Sequence, residues 1–93
     1  MKRESAWDLV VPIVHMNGTS RAELLKLRKA AYLALREAEK ALMQMSPNGR
    51  DYYPEPGLME KALTQHDRRL KTLADLMDEL VTEADRIECG DKL

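Results

Sequence analysis

SPNGRDYYPEPG, residues 46–57, decides how the rest of the chain folds. It lies between two long stretches of helical periodicity, and its reading as a short connector makes them an antiparallel pair. Pro47 keeps Ser46 out of helical backbone and stops the first helix. Asn48-Gly49 supplies a turn, and Pro54 and Pro56 stiffen the approach to the second helix. Those residues account for the connection itself. Arg50, Asp51, Tyr52 and Tyr53 are left over, and the two tyrosines are half of the chain's four aromatic residues.

Before the connector, the pattern predicts a helix over residues 20–45. Ser20 is the N-cap, and Glu23 completes an S-x-x-E capping box; Thr19 is a competing cap. Leu24, Leu27, Ala31, Ala34, Ala38, Ala41 and Met45 recur at alternating three- and four-residue steps. That is a heptad-like stripe whose alanine middle admits a close neighbour. Leu35 and Leu42 widen it, and Lys26, Lys29, Arg36, Glu37 and Lys40 mark the opposite face. After the connector a second helix is expected over 58–88. Met59, Ala62, His66, Leu70, Leu73, Met77, Leu80, Ala84 and Ile87 form its stripe, with Leu63, Leu76 and Val81 beside it. Its polar face mixes sign through Asp67, Arg68, Lys71, Asp75, Asp78, Glu79, Glu83 and Asp85. Gly90 is a C-terminal stop, and residues 89–93 read as a frayed tail.

Residues 1–18 read as an extended arm. Val10, Val11, Ile13 and Val14 are β-branched and favour extended backbone, and Pro12 excludes a helix interior or a central strand. Trp7 is a candidate anchor, and Asn17-Gly18 signals a turn. The expected fold is therefore all-α: one domain over 1–93, an antiparallel two-helix hairpin with an extended N-terminal arm. A lone hairpin leaves one side of each stripe open, so a dimer forming a four-helix bundle is expected. A monomer closed by its own arm is the alternative.

Composition narrows the function. The 93 residues carry a net charge of -1, which argues against a protein held to nucleic acid by bulk charge. One cysteine, Cys89, permits neither an internal disulfide nor a four-cysteine metal site. The apolar run near Leu9–Val14 is too short to span a membrane. A soluble protein of the cytoplasm is expected, with no membrane partner.

Two motifs could carry chemistry. In HMNGTSR, residues 15–21, Gly18, Thr19 and Ser20 stand at a helix start, where free amides and the helix dipole suit phosphate or carboxylate. Arg21 can add a fork of charged donors, and His15 and Asn17 stand close by. The structural reading is a turn, a cap and a surface arginine. In the connector, Arg50, Asp51, Tyr52 and Tyr53 combine charge, an acceptor and π faces, the parts needed to hold a nucleotide; Asn48 or Asp51 could read polar edges. The structural reading is that the tyrosines plug the bundle end while Arg50 pairs with Asp51 or a helix end. The motifs lie at opposite ends of the first helix, roughly 38 Å apart at 1.5 Å per residue. In an antiparallel dimer, one chain's connector meets the partner's helix start, and a composite pocket could form twice.

Other residues read more plainly. His66 on the apolar stripe is a satisfied core histidine, and two distant histidines make no metal site. No catalytic residue and no cofactor are expected. The run KLRK, residues 26–29, is a solvated face that could widen the anion site.

His15 to Arg21 (H-x-N-G-T-S-R), a long helix, Pro47 to Pro54 (P-N-G-R-D-Y-Y-P) and a second helix together resemble a class of small phage and prophage proteins. The size, the hairpin and the pocket chemistry also resemble the phage-encoded sponge proteins. Those are small oligomers that sequester nucleotide signals of bacterial anti-phage defence in pockets between subunits. The resemblance implies a non-enzymatic homo-oligomer in the host cytoplasm whose partner is a small nucleotide ligand. Two rivals stand beside it: a protein-interaction module, such as an inhibitor of a host protein or a small virion component, and a small nucleotide hydrolase using His15 or Asp51 as base.

Overall fold

A computed structural model describes residues 9–89 as two helices packed side by side and joined by a turn-rich connector. Helix α1 runs Arg21–Met43 and helix α2 runs Leu58–Cys89, with one 3-10 turn, Gly49–Asp51, between them. No strand occurs among the described residues. Trp7 as an anchor, the first eight residues of the arm, Gly90 as a stop and the tail beyond it lie outside the described residues. Residues 9–15 form neither helix nor strand.

Local chemistry sets each helix end. Ser20 has extended backbone (φ -65°, ψ 156°), and its Oγ accepts the Glu23 N–H at 3.1 Å. At its other end α1 stops at Met43, two residues before the periodicity predicts. Met45 N–H donates to the Leu42 carbonyl at 2.9 Å and Ser46 N–H to the Met43 carbonyl at 3.2 Å, which tightens the chain into i→i+3 bonds. Ser46 Oγ donates to the Met43 carbonyl as well, at 2.8 Å. Pro47 then bars any return to the helix. Entry to α2 passes through Gly57, whose φ of 83° favours glycine. Its carbonyl accepts the Lys61 N–H at 3.3 Å.

The seam follows the expected stripe of α2 closely. Its residues are all buried or half-buried, with His66, Met77 and Ile87 buried. The stripe of α1 departs from expectation. Only Leu24 of that stripe is buried; Leu27 and Met45 are 51% and 58% exposed, and the four alanines are exposed. The face against α2 instead carries Leu24, Arg28, Tyr32, Leu35 and Leu42, half-buried or better. From Leu27 onward this is the predicted stripe moved one position along, or about 100° round the helix. Leucine and tyrosine remove more apolar area from water than alanine does, so the bulkier face wins the seam. Arg28 and Glu83, both expected on solvated faces, meet there. Arg28 Nη2 and Nε donate to Glu83 Oε2 at 3.0 and 3.2 Å, and the two side chains are only 22% and 16% exposed.

His66 is satisfied as expected. The Ser46 hydroxyl has one proton and gives it to Met43, so His66 Nε2 must carry the hydrogen that spans the 3.2 Å to Ser46 Oγ. This bond ties α2 to the end of α1. The described molecule measures 62 × 24 × 16 Å, two helices wide and one helix thick. Its radius of gyration is 18.3 Å, against about 12 Å for a compact domain of this length.

Removing one member of the ion pair strands the other charge in the seam. Glu83→Ala is expected to lower stability by about 1–3 kcal/mol in urea denaturation at fixed protein concentration. The double variant with Arg28→Ala should lose less than the two singles combined. Strict additivity would show that the pair contributes nothing.

Candidate functional site

The helix-start motif is a tight turn leading into the cap. Gly18 N–H donates to the His15 carbonyl at 3.1 Å, and the His15 ring folds back over Gly18. A Cβ added at Gly18 would lie 2.8 Å from His15 Nε2, the tip of an exposed side chain that would have to swing aside. His15, Asn17, Gly18, Thr19, Ser20 and Arg21 are all exposed. Among the described residues, the side chains of His15, Asn17 and Thr19 make no hydrogen bond. Ser20 Oγ accepts from Glu23 and keeps its own proton to give.

Arg21 is partly committed to the fold. Its Nε donates to the Ile87 carbonyl at 2.9 Å. Ile87 belongs to the last turn of α2, where carbonyls lack intrahelical donors and the dipole is negative. A cation there holds the two chain ends of the hairpin together. The basic run KLRK is split by the same packing: Arg28 turns inward to Glu83, while Lys26 and Lys29 stay exposed.

The connector is built on Asn48. Its Oδ1 accepts the Arg50 N–H at 3.0 Å and its carbonyl accepts Asp51 N–H at 3.0 Å. Gly49's carbonyl accepts from Tyr52 and Tyr53, at 3.1 and 3.0 Å. The Asn48 side-chain oxygen thus serves the turn. The adjacent tyrosines differ: Tyr52 is half-buried, whereas Tyr53 is 77% exposed. Arg50 and Asp51 are exposed. Among the described residues, the Arg50 guanidinium, the Asp51 carboxylate and both phenol hydroxyls have no hydrogen-bond or ion-pair partner. The Arg50–Asp51 pair that a purely structural connector would use is not formed.

Within one chain the two motifs stay apart. The 23 residues of α1 hold them about 35 Å from each other. Sequence reasoning did not foresee a groove of about 470 Å³ beside the helix start, lined by Leu25, Arg28, Lys29, Tyr32, Leu80, Val81, Ala84, Asp85 and Glu88. The signal was the i, i+4 spacing of Arg28 and Tyr32 with Leu24, which a search for apolar residues alone passes over. With Arg28 neutralised by Glu83, Lys29 faces Asp85 and Glu88 there, a balance unfavourable to an anion. Among the described residues no three His, Cys, Asp or Glu side chains group as metal ligands, and no helix is long and apolar enough to cross a membrane. Cys89 is exposed at the end of α2.

Scans against family models, curated proteins and solved structures return no match. The functional reading therefore rests on the side chains themselves.

The different duties of the two arginines are separable by stability. Arg21→Ala is expected to cost about 1–3 kcal/mol in the absence of any ligand, through the lost bond to Ile87. Arg50→Ala should stay within about 0.5 kcal/mol of the parent chain. Equal losses in thermal denaturation would contradict this division.

Proposed function

We propose that the chain is a non-enzymatic binding protein that sequesters a phosphate-bearing nucleotide, of the kind that signals in bacterial anti-phage defence. The pocket is composite: the helix start of one chain faces the connector of a second. One observation carries the reading. Arg50, Asp51 and Tyr53 stand exposed, their side chains unpartnered among the described residues, on a turn held through Asn48 and Gly49. In this arrangement Arg50 supplies charge to phosphate, Tyr53 an open π face for a base, and Asp51 an acceptor for a ribose or base edge. Thr19 and Ser20 of the other chain give hydroxyl donors, with Asn17 and His15 beside them and Gly18 letting the backbone approach. Arg21 contributes only the guanidinium nitrogens that Ile87 does not engage. On this reading the ligand is a nucleotide signal and the place of action is the bacterial host cytoplasm.

A second reading has its own support. Val10, Ile13 and Met16 are exposed, and the backbone of residues 9–14 exchanges no hydrogen bond with the described residues. An apolar segment whose backbone makes no bond to the described helices suits a protein-interaction module that adds itself to a partner's surface.

Incubating the full chain with a panel of nucleotide signals, then denaturing it and analysing what is released, separates the readings. Intact nucleotide should be recovered, and Arg50→Ala and Tyr53→Ala should each weaken binding by about ten- to a hundredfold. Recovery of an altered nucleotide would assign hydrolysis instead. Failure to retain any nucleotide would leave the interaction module as the better account.

A further inference from the structure

The rotation of α1 in the seam leaves an apolar stripe outside. Leu27, Ala31, Ala34, Ala38, Ala41 and Met45 are all exposed and follow one another at alternating four- and three-residue steps. Lys29, Tyr32, Val81 and Asp85 line the groove on one side of the seam. At about 100° per residue, the alanine stripe falls on the other side, and so does exposed Leu76 of α2. Arg28 lies level with Glu83 and Ser46 with His66, so Leu76 lies level with residue 35, at the middle of the stripe.

We infer that this face is where two copies of the chain pair, α1 against α1 and antiparallel, about a two-fold axis level with Arg36. The inference deepens the composite-pocket reading by naming its interface, yet it concerns association alone. Four features of the molecule point to a second copy. First, the stripe is self-complementary under that axis: Ala34 meets the partner's Ala38, Ala31 meets the partner's Ala41, and Leu27 meets the partner's Met45. Small residues face small ones at the centre and large ones close the ends, as an isologous interface requires. Second, Leu76 lies beside the axis and meets the partner's Leu76. Third, the hairpin is one layer thick, and a stable helical domain packs a second layer on the first. Fourth, the area reaches the lower end of the stable range. A footprint about 35 Å long and two helices, roughly 18 Å, wide covers about 600 Å² per chain, or about 1,200 Å² in total. Stable complexes bury about 1,200–2,000 Å² in total. The chain's own first eight residues, MKRESAWD, are half charged and cover such a face poorly.

Sedimentation of the full chain should give a dimer of the 10.7 kDa protomer. Ala34→Glu, at a position exposed in the hairpin, places like charges across the axis and should weaken association at least about a hundredfold while helical circular dichroism persists. Leu33→Glu, on the polar side of α1, should leave the dimer intact. Register is read by oxidative cross-linking in a Cys89→Ser background. Ala31→Cys with Ala41→Cys should link chains, because those two positions are about 15 Å apart within one helix and cannot bridge internally. Ala31→Cys alone should not link. A monomeric parent chain, a dimer indifferent to Ala34→Glu, or linking by Ala31→Cys alone would each overturn the proposal, whatever the nucleotide experiment shows.

Discussion

The ion pair between Arg28 and Glu83, together with the bulk of the face that carries it, sets how α1 is turned. Two donors from the guanidinium converge on one carboxylate oxygen inside the seam, and a third, Nη1, reaches the Leu24 carbonyl at 3.4 Å. Facing Arg28 to α2 brings Tyr32, Leu35 and Leu42 with it, since each lies three, four or seven residues from another member of that face. It also turns Leu27 and the alanines away. A helix cannot offer two faces 100° apart to one neighbour. The choice of the bulky, charged face for the internal seam is therefore a choice of the smooth alanine face for the outside.

Polar ties hold the register that this packing needs. Arg21 closes on Ile87 at one end of the hairpin, Arg28 on Glu83 two turns in, and Ser46 on His66 at the other end. Apolar contacts between two smooth helices tolerate sliding, whereas a hydrogen bond to a fixed carbonyl or imidazole does not. The ties also explain why so few side chains are buried without the fold losing definition: Leu24, Met77, Ile87 and His66 are the buried residues among those described. The connector's turn starts two residues after Ser46, so Arg50 and Tyr53 project from a base that α2 holds through His66.

Much of this was legible in the residues. The capping serine, the Asn48-Gly49 turn and the whole stripe of α2 follow from local chemistry, whereas α1 ends at Met43, before the Pro47 expected to stop it, and His66 finds its partner in Ser46 on the far side of the connector. The seam of α1 was not legible, because its sequence offers two adjacent stripes and only the partner helix decides between them. Counting apolar residues favoured the alanines; area and the charge of Glu83 favoured their neighbours. For the site, the exposure of both motifs followed from their place at helix ends. That Tyr53 is the open tyrosine, and that Arg21 serves Ile87, depended on long-range packing. The groove walled by Lys29, Tyr32 and Asp85 depended on it too, since its walls come from residues more than 50 positions apart.

In the proposed dimer the outward alanine stripe and the two polar motifs share one geometry. The axis that sets Ala34 against the partner's Ala38 sets residue n of one chain level with residue 72 - n of the other. Within α1, whose last residue is Met43, the relation sets Met43 level with the partner's Lys29, so in the proposed dimer the connector that follows Met43 extends toward the partner's helix start. A parallel pairing, or one centred a turn away, would fill the alanine face equally well but would separate the helix start from the partner's Arg50 and Tyr53. In the proposed dimer one register would cover the exposed alanines and turn each connector toward the partner's helix start.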